Sequence, residues 1–478
     1  DLDSGQALER EHLLSVADGG LFWLEKARWP ERNPAFYRGG LDPNTYLNRP
    51  YTPLPERMAA YIRWAQAIPG AVEQIRANLR APLPKTYLYI GRITFGGLAS
   101  YLEEDVPAIF AGVEDAELQA QFVKANGTAK EAFESMDSWL EGQEAQATDD
   151  FALGADLFQE MLRTTERVDV SLEELETAGR LDLERNLEAL EEACALYAPG
   201  LRMLECARKA QAHKPADGPV MGARRQLEDL EEFVRRENIV SIPGTERAQV
   251  EEAPPYRRSN AAYIDIPGPY EENLPSVYYI APPDPSWTPE EQAAYIPGTT
   301  PLLFISVHEV WPGHFLQFLH TNRASSELGR IFVGYAFAEG WAHYTEEMMW
   351  EAGYGKETPE THVGQLLNAL RRNARYLSAI GLHARGMTVE ESEQMFLEKA
   401  FADIGNARQQ AARGTYDPGY LNYTLGKLMI RRLREDWTRD RGGREAWREF
   451  HDQFLSYGGP PIPLVRRAML GEAAGPAL

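Results

Sequence analysis

The sequence predicts a mainly α-helical protein with a small β segment near its middle. Residues 1–236 alternate stretches of helical periodicity with short breaks such as Pro199-Gly200. From residue 237 to 301 the chain holds twelve of its 32 prolines, and the helical period is lost there. It returns from 301 onward. We therefore expect a helical N-terminal lobe (1–236), a proline-rich segment (237–300) and a second helical lobe (301–478), packed as one integrated domain.

The first lobe carries acidic helical faces and both cysteines. The acidic stretch 173–192 is most simply a solvated helix surface. Cys194 and Cys206 are too few for a disulfide framework and lack the spacing of metal ligands. We expect them to be inert thiols, compatible with a reducing compartment.

Two short runs in the proline-rich segment predict β-strands. Residues 261–266 and 276–281 are rich in β-branched and aromatic side chains, and a Pro-Gly-Pro turn region lies between them. We expect these two strands to form a hairpin.

A buried helix follows the hairpin. Thr300 and Pro301 are a good N-cap and first-turn pair, and residues 302–307 form an apolar run. His308 and Glu309 therefore lie near the end of this helix, at depth in the protein.

His308, Glu309 and His314 predict a zinc site. Catalytic zinc commonly takes two imidazoles and a carboxylate, and leaves its fourth position to a water molecule that a neighbouring glutamate can deprotonate. The two histidines are six residues apart, which on a regular helix leaves them about 120° apart around the axis. Pro312 breaks the helix and Gly313 relaxes the backbone, so the second histidine can be re-aimed. The alternative is a pair of satisfied core histidines beside a surface carboxylate.

Residues 331–350 predict a second buried helix, which brings a third ligand. Glu339 follows three apolar residues, where a bare carboxylate would be costly and a zinc ion would satisfy it. His343 and Glu346 follow on the same helical face, where they could support the ligands from behind. For His343 plain packing is the alternative, and for Glu339 the alternative is a buried ion pair.

The motifs HEVWPGHFLQ (308–317) and EGWAHYTEEM (339–348) resemble the two signature motifs of the bacterial DUF885 family, H-E-x-x-P-G-H-H-x-Q and E-G-W-A-L-Y. Stretches 150–162, 364–388 and 422–435 are similar to that family as well, so the resemblance covers most of the chain from about residue 85. The resemblance implies a helical fold akin to the gluzincin metallopeptidases. It also implies that His308, His314 and Glu339 hold one zinc ion per chain, with Glu309 as the base.

Three positions depart from the family pattern. Phe315 stands where the family usually repeats histidine, so His314 alone of that pair is the expected ligand. His343 stands where the family has an apolar residue. Ala379 stands where an aspartate often precedes the Gly-x-His step, which removes a hydrogen-bond partner for His383.

Downstream helices offer two candidates for stabilising an oxyanion. Helical metallopeptidases commonly use a tyrosine hydroxyl or a histidine for this purpose, and Tyr423 and His383 are placed to supply it. For each of them the alternative is a buried side chain with an ordinary hydrogen bond.

Other residues are candidates for substrate binding. An edge strand beside the metal could pair with an extended substrate backbone, and Tyr278 and Tyr279 would then line a subsite. The alternative is a hairpin that only closes a lobe. Arg375, with Arg371 and Arg372, could meet a substrate carboxylate, and a solvated basic face is the alternative.

Composition excludes several partners. The net charge of −23 and a pI near 4.9, with no long basic run, argue against a nucleic-acid binder and against anionic membrane surfaces. No apolar stretch approaches the ~18 residues needed to span a bilayer. We expect a cytoplasmic protein. An exported form that has lost its leader is the alternative.

We therefore expect a zinc-dependent hydrolase, most simply a metallopeptidase that cleaves short peptides. The alternatives are a metal-dependent amidohydrolase acting on a non-peptide amide, and a helical binding protein whose metal site is structural or decayed. A structural zinc would take a fourth protein ligand such as His343. A di-iron site needs paired Glu-x-x-His motifs, which the step from Glu339 to His343 does not supply.

Overall fold

The computed structural model describes residues 2–253, 258, 261–271, 274–285, 287–471 and 474–478. These residues form a mainly helical protein with a small three-stranded sheet, so the predicted fold class is confirmed. The helices that precede the sheet are α1 (Ser4–Leu21), α2 (Trp29–Arg32), α3 (Asn44–Leu47), α4 (Leu54–Asn78), α5 (Lys85–Glu104), α6 (Val106–Phe110), α7 (Ala116–Glu141), α8 (Ala155–Thr165), α9 (Leu172–Tyr197), α10 (Met203–Ala212) and α11 (Gly218–Glu237).

The strands are β1 (Ala248–Glu252), β2 (Ala262–Asp265) and β3 (Ser276–Ile280). The helices that follow them are α12 (Pro289–Tyr295), α13 (Thr299–Glu309), α14 (His314–Thr321), α15 (Glu327–Ile331), α16 (Tyr335–Ala352), α17 (Pro359–Ala384), α18 (Val389–Lys399), α19 (Ile404–Tyr416), α20 (Asn422–Thr438), α21 (Trp447–Ser456) and α22 (Ile462–Leu470). Within the described ranges, none of the helices is both long and apolar enough to cross a membrane.

The chain divides into two compact units, and the smaller consists mainly of Trp23–Ala152. Its core forms where α4 and α5 pack against α7. The polar groups inside this core are paired. Tyr61 donates to Asn126 Oδ1 at 2.5 Å, and the Asn126 amide donates to the Leu102 carbonyl at 2.7 Å. Apolar burial therefore holds this unit together without leaving these groups unsatisfied.

The larger unit contains α1, the sheet and all helices from α8 onward. In this unit α17 is buried along nearly its whole length and packs against α9, α13, α16 and α20. A helix buried on all sides presents its polar residues to other elements instead of to bulk water. Arg372 and Arg375 of α17 are therefore buried inside the unit, whereas Arg371 is half-buried.

A buried charged network fixes α9, α16 and α20 against one another. Lys427 of α20 donates to Asp182 of α9 at 2.6 Å and lies 3.3 Å from Glu347 of α16. Arg185 pairs with the same two carboxylates, at 2.8 Å and 2.7 Å. Because each buried charge has an opposite partner, the network tolerates burial and specifies how these helices meet.

The sheet has the strand order β1-β3-β2. Strands β2 and β3 pair antiparallel, with Tyr263 opposite Tyr279, so the predicted hairpin is confirmed with slightly shorter strands. Strand β1 pairs parallel to β3 and was not predicted. In β1 only Val250 is buried, so the strand lacks the alternation of apolar residues that would have indicated it.

Cys194 and Cys206 form a disulfide that joins α9 to α10. The expectation of two inert thiols was therefore wrong. The turn at Pro199-Gly200 folds α10 back, and the two Cα atoms come within 5.8 Å of each other. This separation suits a disulfide, but sequence spacing alone does not reveal it.

Candidate metal centre

The predicted break between the two histidines is present. His308 and Glu309 form the last turn of α13, and α14 begins at His314. Helix α13 itself begins at Thr299, one residue before the predicted cap. A Cβ atom at position 313 would collide with the carbonyl oxygen of His308, so only glycine fits this reversal of the chain. The break places both imidazoles on one side of the loop.

Helix α16 carries Glu339 in its second turn. It begins at Tyr335, so the predicted start near Ile331 was wrong. The residues before it leave the helical path because the Gly334 amide donates to the Gly459 carbonyl at 2.7 Å. Farther along, Trp341 donates from Nε1 to the Pro312 carbonyl at 2.9 Å. This bond ties α16 to the loop between the two histidines.

The crossing of α16 and α20 is close because both helices have glycine at the contact. A Cβ atom on Gly340 would lie 2.5 Å from the Cα of Gly426, nearer than real side chains approach. Small residues at a crossing allow two helical backbones to come together. As a result Tyr423, one turn before Gly426, reaches Glu339.

The three predicted ligands converge. Glu339 Oε2 lies 3.1 Å from His308 Nε2 and 3.3 Å from His314 Nε2, and all three ligand atoms lie within 4.8 Å of one another. In a tetrahedral shell with metal–ligand bonds of about 2.0–2.1 Å, neighbouring ligand atoms are separated by about 3.3 Å. The two distances from Glu339 match this value, and the two imidazole nitrogens lie within 4.8 Å of each other, so the three ligand atoms surround one point that could hold a metal ion.

The charge state of Glu339 suits a metal ligand. Burial alone would raise the pKa of this carboxyl group, but His314 and His308 beside it lower the pKa well below its ordinary value. The group is therefore ionised at neutral pH.

Glu346 contacts His308 at Nδ1, the ring nitrogen that does not face Glu339. Its Oε1 lies 2.8 Å from His308 Nδ1 and 3.0 Å from a guanidinium nitrogen of Arg372. Arg372 can only donate, so Glu346 accepts from both groups. Burial and Arg372 act to lower the pKa of the His308 ring, but its bonds to Glu339 and Glu346 raise it to about 9, so both ring nitrogens donate to carboxylates. A metal ion would take the place of the Nε2 proton, and the bond from Nδ1 to Glu346 would still orient the ring.

His343 lies beside Glu346, as its place on the helical face predicts. It is fully buried, and its Nδ1 is 3.7 Å from Glu346 Oε1, beyond hydrogen-bond distance. Burial lowers the pKa of His343 to about 4, so the ring is neutral. In the part of the chain that the structure describes, His343 is not a member of the ligand group.

Glu309 lies next to the ligand group and is half-buried. Burial raises the pKa of its carboxyl group, while His308 and His314 act against that rise. Among the described residues, Glu309 has no hydrogen-bond or ion-pair partner. A carboxylate in this position can accept a proton from a water molecule.

Tyr423 contacts the ligand group, whereas His383 does not. The Tyr423 hydroxyl donates to Glu339 Oε1 at 3.0 Å, and its ring stacks on His308 with 6.0 Å between the ring centroids. Both ring nitrogens of His383 are bonded to backbone groups, Nδ1 to the Leu153 amide at 3.3 Å and Nε2 to the Gly414 carbonyl at 2.8 Å. The structure therefore does not bring His383 to the ligand group.

The expected shared subsite of Tyr278 and Tyr279 is not formed. Neighbouring residues of a strand point to opposite faces of the sheet. Tyr278 is fully buried near Glu309, whereas Tyr279 is half-buried and packs on Tyr263 at 5.1 Å between ring centroids. Their strand, β3, is paired on both sides, so it offers no free edge to a substrate backbone.

The sequence left two interpretations of Arg375, contact with a substrate carboxylate or part of a solvated basic face, and it did not identify two of its neighbours. Arg375 is 9% exposed, and its guanidinium carbon lies 4.8 Å from the centre of the Tyr423 ring. Arg413 of α19 and Tyr335 of α16 lie in the same cluster, bonded to each other at 3.2 Å. The sequence indicates Arg413 only weakly: its charge stands among uncharged residues in the last turn of the helix.

Comparisons with known proteins agree on family and fold. The family model described as bacterial protein of unknown function (DUF885) matches residues 5–469. The structure of a candidate lipoprotein of unknown function from Shewanella oneidensis has a TM-score of 0.78 and 24% identity, over 98% of this chain and 88% of that one. The structure of a candidate lipoprotein from Colwellia psychrerythraea has a TM-score of 0.75 and 18% identity, over 89% and 78%. No curated protein matches the chain. At these identities the two structures support the fold alone.

Proposed function

Because the chain belongs to the DUF885 family, whose description assigns no activity, we propose from its site that the protein is a zinc-dependent metallopeptidase of short peptides. The observation that carries the proposal is the convergence of His308, His314 and Glu339 beside the unpartnered carboxylate of Glu309. This arrangement supports a gluzincin-like mechanism, in which the base follows one ligand on the same helix and the carboxylate ligand comes from another helix.

Two imidazoles and a carboxylate are the donor set of many catalytic zinc sites, and this set leaves a fourth position open. One zinc ion bound there would polarise a substrate carbonyl and lower the pKa of a water molecule. The placement of His343 argues against a structural zinc, which would need a fourth protein ligand: its nearer nitrogen lies beside Glu346, on the far side of His308.

Glu309 is the proposed base. Its carboxylate takes a proton from the attacking water and passes it to the leaving amine. Burial raises the pKa of its carboxyl group, which makes the carboxylate a stronger base toward that proton.

Tyr423 is the proposed electrophilic helper. Burial raises the pKa of its phenol, so the hydroxyl is protonated at neutral pH. Its bond to Glu339 puts that hydroxyl within one hydrogen bond of a ligand atom. From there it can turn to donate to the oxygen that becomes negative as the carbonyl is attacked.

We also propose that the protein acts outside the cytoplasm, in place of the cytoplasmic location expected from its sequence. Disulfides persist in oxidising compartments, and Cys194 and Cys206 form one here. Both similar structures are described as lipoproteins, which are exported.

The test begins with metal content. Wild-type protein should contain about one zinc per chain, and His308→Ala and Glu339→Ala should lose it. His362→Ala is the matched control, because His362 stacks on Trp350 and is not part of the ligand group. A control that lost zinc as fully as the ligand variants would show that the loss reflects unfolding.

Turnover is then measured on a mixed peptide library, with and without chelator. Cleavage should stop with chelator and return with zinc. Glu309→Gln should retain zinc and lose turnover by a factor of at least about 10². Full turnover in Glu309→Gln would show that Glu309 is not the base. Wild-type protein that contained no zinc would contradict the proposal as a whole.

A further inference from the structure

Arginines collect around Tyr423 in a chain whose net charge is −23. Their guanidinium carbons lie 4.8 Å, 5.8 Å and 6.0 Å from the centre of the Tyr423 ring for Arg375, Arg372 and Arg413, respectively. Arg371, which precedes Arg372 on α17, adds a fourth positive charge to the group. An acidic protein that buries several cations together needs negative charge to balance them.

Two of the four arginines have such a partner. Arg372 lies 3.0 Å from Glu346, and Arg413 lies 2.8 Å from Asp417. Among the described residues, Glu346 and Asp417 are the carboxylates within ion-pair distance of these four arginines.

Arg375 and Arg371 have no carboxylate partner among the described residues. Arg375 donates from Nε to the neutral amide oxygen of Gln410 at 2.7 Å, and its two terminal nitrogens have no protein acceptor in the described part of the chain. Arg371 is half-buried, and no described residue forms a hydrogen bond or ion pair with it. Asp403, whose charge acts on Arg371, caps α19 and bonds Asn406 instead.

The positive charges of Arg371 and Arg375, which have no carboxylate partner among the described residues, repel each other. Burial and the neighbouring guanidinium groups lower the pKa of Arg371 to about 10, and burial lowers that of Arg375 as well. A guanidinium still keeps its proton at neutral pH, so both charges persist. An anion that entered between them would relieve the repulsion and satisfy the free N–H groups.

Arg371 and Arg375 lie on the same face of one helix. Residues four apart on a helix lie on the same face, one turn from each other, as Arg371 and Arg375 do on α17. The planar fork of a guanidinium matches a carboxylate through two parallel hydrogen bonds. Two such groups on one helix face could hold one carboxylate group.

This site adjoins the ligand group. The Tyr423 ring contacts both: it stacks on His308 with 6.0 Å between the ring centroids, and the guanidinium carbon of Arg375 lies 4.8 Å from its centre. An extended peptide advances about 3.3–3.6 Å per residue. The His308 ring and the Arg375 guanidinium therefore lie less than about 11 Å apart, a distance that about three residues or fewer cover.

We propose that Arg371 and Arg375 bind the free α-carboxylate of the substrate, so that the enzyme removes about one to three residues from the carboxyl end of a peptide. The inference rests on the proposed peptidase function, and it adds the substrate class: peptide acids, to the exclusion of peptides with a blocked carboxyl end.

The test compares each peptide acid with its carboxamide, which differs only in the terminal charge. Hydrogen bonds to charged groups are worth a factor of about 10 to 100 in binding. Wild-type enzyme should therefore prefer the acid by about that factor in kcat/KM, mainly through KM. Arg375→Gln and Arg371→Gln should each lose most of this preference and cleave acid and amide at similar rates.

Arg408→Gln is the control, because Arg408 is exposed on α19 and its neighbour is Glu393. It should keep the wild-type preference. If Arg375→Gln fails to fold, Arg371→Gln still carries the test, since Arg371 is only half-buried. Equal use of acid and amide by the wild-type enzyme would overturn the proposal, as would an unchanged preference in both glutamine variants.

Binding without turnover separates this inference from the peptidase proposal. The Glu309→Gln protein, loaded with zinc, is titrated calorimetrically with an N-acetyl dipeptide acid and with its amide. Tighter binding of the acid, lost on adding Arg375→Gln, would support the carboxylate site even if no peptide were cleaved. Equal binding of acid and amide would overturn it even if peptides were cleaved.

Discussion

Glu346→Gln is the sharpest test of how the ligand group is held. The substitution preserves shape and one accepting oxygen, but it removes the negative charge. That charge is shared by His308 Nδ1 at 2.8 Å and by Arg372 at 3.0 Å, in a place with no solvent exposure. The change therefore acts on zinc affinity through His308 and on folding stability through Arg372.

The two effects differ in size. A hydrogen bond to a charged group contributes about 1.5–3 kcal/mol, and loss of the outer partner of a metal-binding histidine weakens metal affinity about 10- to 100-fold. Since glutamine can still accept from Nδ1, we expect the lower end, about 10-fold. Breaking a buried ion pair costs about 3–5 kcal/mol of stability. Arg372 retains its bond to the Asn368 carbonyl at 3.0 Å, so the loss should fall near 3 kcal/mol.

Zinc affinity is measured by competition with a chelator, and stability by urea unfolding of the metal-free protein. Glu351→Gln is the matched control on the same helix. Glu351 pairs with the buried Arg434 at 2.6 Å, away from the ligand group. It should lose stability and keep zinc affinity. If Glu346→Gln bound zinc within twofold of wild type, His308 would not be a ligand held by Glu346.

Three further changes have defined outcomes. Tyr423→Phe should retain zinc and lower kcat about 10²-fold with little change in KM, since one donor to the developing oxyanion is lost; an unchanged kcat would assign Tyr423 to packing. Burial raises the pKa of Glu166 to about 7, so the folded state binds the extra proton and stability should fall as pH rises from about 4.5 to 7; Glu166→Gln should flatten this slope in urea unfolding. Serine at both Cys194 and Cys206 should lower stability by about 3 kcal/mol, and reductant should then have no further effect.

The parts of the fold that local rules govern were predictable from the sequence. The helix end at Glu309, the break at Pro312-Gly313 and the β2–β3 hairpin depend on proline, glycine and apolar periodicity, and the structure has all three. The start of α16 was misplaced because Gly334 bonds to Gly459, a residue far away in sequence. Strand β1 and the disulfide were missed for the same reason: both depend on which segments meet.

The site shows the same division. His308, His314, Glu339 and Glu309 could be chosen from residue type and spacing, because metal ligands and bases belong to few residue types. His383 was chosen on similar grounds, yet its ring is oriented by two backbone groups that no local pattern reveals. Residue type limits the candidates, and tertiary packing decides which of them face the same point.

The arginines of α17 make this division concrete. Consecutive helical residues point about 100° apart, so Arg371 and Arg372 cannot serve the same group. Arg372 turns to Glu346 and supports a metal ligand, while Arg371 shares its face with Arg375 and remains without a counter-ion among the described residues. One buried helix thus supports the proposed ligand group through Arg372 and carries the proposed carboxylate site on the adjoining face. A rigid helix, instead of a loop, then sets the distance between the two sites. A peptidase that cleaves at a fixed distance from the carboxyl end of its substrate requires such a fixed separation.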